Sequence, residues 1–166
     1  MKKLYIIRHA KSSWGDFTTP DFDRPLNDRG KRDAPEMARR LLQKKITIDV
    51  FISSPAKRAK STCKAFCKAY ERDSDEIICI NELYHASVET FNKVASTIDD
   101  QFQSAAIFSH NPGITDFVNG LVKDVHIDNM PTCAVFAVGI EATSWKDFLS
   151  ADKNFLFADY PKLVSE

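Results

Sequence analysis

Short apolar runs alternate along this chain with stretches whose apolar residues recur at helical spacing, and that alternation restricts the fold more than any other feature. Residues 4–7 read as a first strand. Ala34, Met37, Ala38, Leu41 and Leu42 then mark one helical face. Residues 49–53 form a second strand, followed by the helical set Ala59, Cys63, Phe66, Cys67 and Tyr70. A third strand over 77–80 precedes Phe91, Val94, Ala95 and Ile98, and a fourth over 105–108 precedes Ile114, Phe117, Val118 and Leu121. Residues 133–140 are a longer run rich in β-branched residues and alanine, and 155–157 read as a last edge strand. Residues 11–29, polar, aromatic and proline-containing, read as a long loop. The pattern predicts an α/β layered fold with a mainly parallel sheet and helices on both faces. Its 166 residues suit a single domain spanning 1–166 with a real core.

Such a sheet binds ligands outside the carboxyl ends of its strands. The first strand ends in Arg8-His9, the second in Ser53-Ser54-Pro55-Ala56-Lys57-Arg58, the third in Asn81-Glu82 and the fourth in Ser109-His110-Asn111-Pro112. Two of the four histidines and two arginines are thus predicted at one edge, with a carboxylate between them. Ser54 is expected to cap a helix whose first residue is Pro55, and Asn111 and Pro112 repeat the device. Both helices would begin at the site and offer free N–H groups and a positive dipole end. Arg58 would lie in the first turn of its helix. A pocket built from Arg8, Arg58, a protonated His110 and two helix ends suits a phosphate dianion, whose oxygens match the guanidinium fork.

Charge and composition exclude other classes. Lys plus Arg equals Asp plus Glu at 23 each, which argues against broad nucleic-acid or anionic-membrane binding. The apolar runs are too short to span a bilayer, and the one behind Met1-Lys2-Lys3 stops at Arg8, so a soluble cytoplasmic protein is expected. Cys63, Cys67, Cys79 and Cys133 fit no zinc or CxxC pattern and are expected to be buried, reduced thiols. A metallohydrolase built on His9, His110 and Glu82 is disfavoured because the arginines repel a cation and no ligand pair has metal-site spacing. No metal and no cofactor are expected. His85 and His126 read as surface or loop residues. Trp14, Phe17 and Phe22 in the long loop cover the site, dock a partner or pack the loop with their own rings.

The motifs Arg8-His9-Ala10, Ser54-Pro55-x-x-Arg58-Ala59-x-x-Thr62 and Ser109-His110, in that order and each at a strand end, resemble the histidine phosphatase (phosphoglycerate-mutase-like) superfamily. The short length and the stretch Asp23-Arg24-Pro25-Leu26-x-x-x-Gly30 are most similar to its SixA-type phosphohistidine phosphatase branch. The resemblance runs from residue 3 to about 140 and implies a three-layer α/β/α sandwich on a mixed, mostly parallel six-stranded sheet. It implies that His9 is the nucleophile phosphorylated on a ring nitrogen, and that Arg8, Arg58 and His110 hold the phosphoryl oxygens. Ser12 and Asn111 join that phosphate-binding set. Glu82 falls where mutase-like members carry a general acid. The chain departs from the family at Ala10, where glycine is common, and at Lys11-Ser12-Ser13-Trp14-Gly15, where mutase-like members read Glu-Ser-x-Trp-Asn.

The chemistry follows from the residues themselves. Phosphoryl transfer needs in-line placement and charge stabilisation, which pre-placed arginines supply without a metal. A neutral His9 splits the reaction into transfer to the ring and attack by water. An ester leaving group needs an acid such as Glu82, whereas the imidazole leaving from phosphohistidine needs it less. The expected activity is therefore a metal-independent phosphatase acting on protein phosphohistidine, phosphoramidates or small phosphomonoesters. The competing readings are a non-catalytic phosphate- or phosphoprotein-binding module and a broad-specificity small-molecule phosphomonoesterase.

Overall fold

The structure, a computed structural model, describes residues 1–14, 16 and 18–163. Six strands and four α-helices follow one another as β1 (Lys2–Arg8), α1 (Asp28–Gln43), β2 (Val50–Ser53), α2 (Lys57–Ala69), β3 (Ile78–Cys79), α3 (Val88–Ser96), β4 (Ser104–Ser109), α4 (Gly113–Asn119), β5 (Val135–Ile140) and β6 (Lys153–Asp159). They form one mixed sheet in the order β3-β2-β4-β1-β5-β6. β1, β2, β3 and β4 pair in parallel, while β5 runs antiparallel to β1 and β6 antiparallel to β5.

Successive side chains of a strand point to opposite faces, and here both faces are covered. Leu4, Ile6, Val50, Ile52, Ala105 and Ile107 pack into one core with Phe91 and Val94 of α3 and Ile114, Phe117 and Val118 of α4. Tyr5, Ile7, Phe51, Ala106 and Phe108 pack into the other with Met37 and Leu41 of α1 and Cys63 and Phe66 of α2. The three-layer expectation holds because the middle of each central strand is apolar on both faces and a helix pair covers either side.

The boundaries depart from the sequence reading in instructive ways. α1 starts at Asp28, inside the predicted loop, because the Asn27 side chain accepts the Gly30 N–H at 2.9 Å and caps the first turn. A β-carbon on Gly30 would lie 2.2 Å from the Lys11 carbonyl oxygen, so only glycine lets this turn close on the segment after β1. β3 is two residues long rather than four, and Cys79 on it is exposed, which corrects the expectation of four buried thiols; Cys63, Cys67 and Cys133 are buried. β5 starts at Val135 because Cys133 has a φ of 61° and cannot continue a strand. β6 is longer than predicted, spanning seven residues. Among the described residues, no helix is long and apolar enough to cross a membrane.

Candidate active site

The parallel register brings the strand ends together. Arg8 pairs with Ser109 and Ser53 with Phe108, so the residues after β1, β2 and β4 leave the sheet at one edge. The antiparallel β5 begins at the same edge, opposite Ile7, and delivers the segment before it. The resulting cleft of about 220 Å³ is walled by Arg8, His9, Ser12, Arg58, His110 and Asn111 among the predicted residues, and also by Lys11, Trp14, Arg24 and Thr132.

His9 sits at the centre and is only 6% exposed. Its Nδ1 lies 2.7 Å from the Ala10 carbonyl oxygen. A carbonyl can only accept, so Nδ1 carries the proton and Nε2 keeps its lone pair. Burial is the main cause that lowers the His9 pKa to about 3; the Ala10 contact opposes the drop, and Arg8, Arg58 and Arg24 add to it. The ring is therefore neutral across the physiological range. Ala10 fits its place without strain: it is fully buried, its N–H donates to Thr62 Oγ1 at 2.9 Å, and it is not among the positive-φ residues Lys45, Glu71 and Cys133.

His110 stands 5.1 Å from His9, ring centre to ring centre. Its Nε2 is 2.7 Å from Ser54 Oγ, and its Nδ1 is buried with no protein partner. Burial first, then His9 and Arg58, lower its pKa to about 2. The expectation of a protonated His110 is thus corrected: burial disfavours the charged ring, and His9 and Arg58 add more against it than Asp21 offsets.

The arginines come from three different segments. Arg8 donates through Nη1 to the Met130 carbonyl at 2.8 Å. Burial, and then the Arg58 guanidinium, lower its pKa, though not enough to discharge an arginine. Arg58 donates to the Asp21 carbonyl at 2.7 Å and to Asp21 Oδ2 at 3.0 Å. The Nε atoms of Arg8 and Arg58 are buried without partners. Arg24 stacks on Trp14, its guanidinium carbon 3.7 Å from the ring centre, while Trp14 stays 74% exposed as an outer wall. Sequence reasoning used Arg24 only as part of a family stretch. No local pattern marks its return to the cleft, which the bridge between Ser12 and Leu26 brings about by pulling the Arg24 segment back beside the end of β1.

The helix starts differ from prediction. α2 is capped by Ala56, with no side-chain cap; Ser54 instead accepts the Ala56 N–H at 3.2 Å and turns its hydroxyl to His110. α4 follows Pro112 rather than Asn111. Asn111 walls the cleft, but its amide is committed to Asn129 Oδ1 at 2.8 Å and the Met130 carbonyl at 3.1 Å. It secures the segment before β5.

Glu82 stands apart. It lies exposed in the turn Asn81–Leu83 and is not on the cleft wall. β3 is three strand positions from β1, about 14 Å at roughly 4.8 Å per spacing. The chain then folds back over β4, where Ser109 Oγ donates to the Leu83 carbonyl at 2.7 Å, so Tyr84 rather than Glu82 reaches the site. The Tyr84 ring packs edge-on to His110 and tilted against His85. His85 and Tyr84, with His110 and Asn111, line an adjoining cavity of about 370 Å³. His126 is exposed, 3.3 Å from Asp128. Phe22 packs edge-on to Tyr84, and Phe17 and Gly15 lie outside the described residues.

A neutral histidine with a free ring nitrogen thus stands beside three arginines at the carboxyl edge of the sheet, an arrangement suited to holding a phosphoryl group. The chain belongs to the histidine phosphatase superfamily (branch 1), whose model matches residues 4–130. Its fold is similar to a crystal structure from Agrobacterium tumefaciens provisionally named phosphohistidine phosphatase SixA, with TM-score 0.82, 24% identity and 96% and 98% of the two chains covered. It is similar to the protein histidine phosphatase SixA complexed with tungstate, with TM-score 0.81, 20% identity and 96% and 97% covered. A mycobacterial glucosyl-3-phosphoglycerate phosphatase matches at TM-score 0.68, 11% identity and 93% and 96% covered. In sequence, an uncharacterized chloroplastic protein of Arabidopsis thaliana is 38% identical over 64 residues, which span 39% of this chain and 29% of that protein.

Proposed function

We propose that the whole chain forms one phosphatase domain that hydrolyses phosphohistidine on proteins, and related phosphoramidates, through a covalent phosphohistidine on His9, with no metal. The observation that carries this reading is the fixed tautomer of His9: the Ala10 carbonyl holds the proton on Nδ1 and leaves Nε2 ready to attack inside a cationic cleft. In the first step Nε2 bonds to phosphorus and the substrate's P–N bond breaks, the departing imidazole keeping the electron pair. Arg8, Arg24 and Arg58 hold the oxygens and offset their charge, and His110 Nδ1 faces a site where an anion would supply the partner it lacks. In the second step water bonds to phosphorus, the P–Nε2 bond breaks with its electron pair returning to Nε2, and the protons of the water leave on the inorganic phosphate.

One feature favours an imidazole leaving group over an alkoxide. Glu82, the expected acid, is exposed and outside the cleft wall, and an alkoxide would need that proton. The tungstate bound by the structurally similar SixA is a phosphate-like oxyanion, consistent with a pocket of this shape. The test is a turnover panel of a phosphohistidine-bearing protein, phosphoramidate and sugar phosphates, with His9→Ala as control. Acid-labile labelling of His9 and a preference for the P–N substrates are expected. Equal or better turnover of sugar phosphates would favour a broad-specificity phosphomonoesterase, and binding without turnover a phosphate-binding module.

A further inference from the structure

We infer that Asp21, in the loop between β1 and α1, is a positioning residue that fixes the spacing of Arg24 and Arg58 for an oxyanion. The inference rests on the phosphoryl-transfer reading above and deepens it. The Asp21 carboxylate touches three segments at once. Its Oδ1 accepts Arg24 Nε at 3.1 Å, and its Oδ2 accepts Arg58 Nη2 at 3.0 Å and the Tyr84 hydroxyl at 2.5 Å. Its main-chain carbonyl takes the remaining Arg58 Nη1 at 2.7 Å. One short side chain thereby joins the loop, the first turn of α2 and the turn that folds over β4.

The electrostatics require such a group. Arg8, Arg24, Arg58 and Lys11 wall one small cleft, and in a partly water-excluded site like charges at that spacing push apart. Arg58 is 6% exposed and cannot relax into solvent. Asp21 lies outside the cleft wall and grips both guanidiniums from there, leaving Arg58 Nε buried and unpartnered for an incoming oxygen. Tyr84 first, then Arg58 and Arg24, hold the Asp21 carboxyl at about 2, so the grip persists throughout the neutral and mildly acidic range. A carboxylate that merely pinned the loop would need one partner. This one bridges two arginines that line the same cleft.

The test compares Asp21→Asn, Asp21→Glu and wild type in two readouts: inorganic phosphate binding by calorimetry and steady-state phosphoramidate hydrolysis. Asp21→Asn should weaken phosphate binding and raise KM, together lowering kcat/KM by about 100-fold, the scale of an ångström-sized misplacement. The melting temperature should stay near that of wild type, and Asp21→Glu should restore part of the loss. On an Arg58→Lys background, Asp21→Asn should cost much less than it does alone. Unchanged or tighter phosphate binding in Asp21→Asn overturns the inference, as does a loss that follows the melting temperature or adds in full to Arg58→Lys. Wild-type protein that binds phosphate yet turns over no phosphodonor defeats the catalytic reading while leaving the positioning role to be read from binding. Wild-type protein that binds no phosphate defeats both.

Discussion

The cleft has two unlike sides. Arg8, His9 and His110 stand on strand ends fixed by the parallel register of β1 and β4, with buried cores on both faces behind them. Trp14, Asp21 and Arg24 stand on the loop between β1 and α1, held by the bridge between Ser12 and Leu26, by contacts among their own side chains and by the grip of Asp21 on Arg58 and Tyr84. The strand side carries the ring nitrogen proposed to react and the contact that fixes its tautomer. The loop side carries charge that must be aligned by other charge. The difference teaches that the strand side is placed by backbone pairing, whereas the loop side is placed by contacts between its charged side chains.

The sharpest break between the sides is expected at His9. His9→Ala should lower kcat by more than about 10⁴-fold on every substrate, the scale of losing a nucleophile, and abolish acid-labile labelling. A loop-side substitution of equal severity would erase the distinction. Next come matched arginine changes. Arg8→Lys, which cannot reproduce the fork within a buried strand end, should cost about 100-fold in kcat, whereas Arg24→Lys should cost about tenfold, mostly in KM. Steady-state kinetics on phosphoramidate separates the two, and the reverse order would show that the loop arginine is the one that meets the transition state.

How much of this could be read in the sequence divides along the same line. His9 and His110 were legible because apolar runs point to strand tips and parallel sheets bind ligands there. Arg58 was legible by its place in a first turn, though the cap invoked for it was wrong: Ser54 serves His110 rather than the helix. Arg24 and Asp21 were not legible, because a polar loop has no periodicity and its return to the cleft depends on Gly30 meeting Lys11, a contact 19 residues apart. Glu82 was misleading for a related reason. Position after a strand implied the cleft, but the strand is at the sheet's edge and the chain must fold back to arrive. Two long-range pairings, Arg8 with Met130 and Asp21 with Tyr84, leave no local pattern at all.

Acid should damage the strand side before the loop side. His9 and His110 have folded pKa values of about 3 and about 2, below the unfolded value of about 6.5, so on acidification the unfolded chain takes up protons first. Stability should therefore be full above about pH 6.5 and fall as pH drops from there towards 3. The Asp21 carboxyl, held at about 2 against an unfolded value near 3.9, starts to weaken the loop only below about pH 4. Melting scans between pH 7 and pH 4 should show a fall of several degrees that shrinks in His110→Asn. A flat profile over that range would mean that water reaches both rings and that the strand side is less enclosed than its burial indicates.

The smallest effect is expected at Glu82, and it bears on the leaving group directly. Glu82→Gln keeps size and removes the proton. The side chain is exposed and off the cleft wall, so phosphoramidate turnover should change less than about twofold, because an imidazole leaves without strong acid assistance. Phosphomonoester turnover separates two cases. If it too is unchanged, solvent or a group on the turn that bears Tyr84 and His85 supplies whatever proton the leaving oxygen needs. If it falls by tenfold or more while phosphoramidate turnover holds, Glu82 must swing into the cleft when an ester binds, and the turn over β4, like the loop that carries Asp21, belongs to the side of the site placed by side-chain contacts.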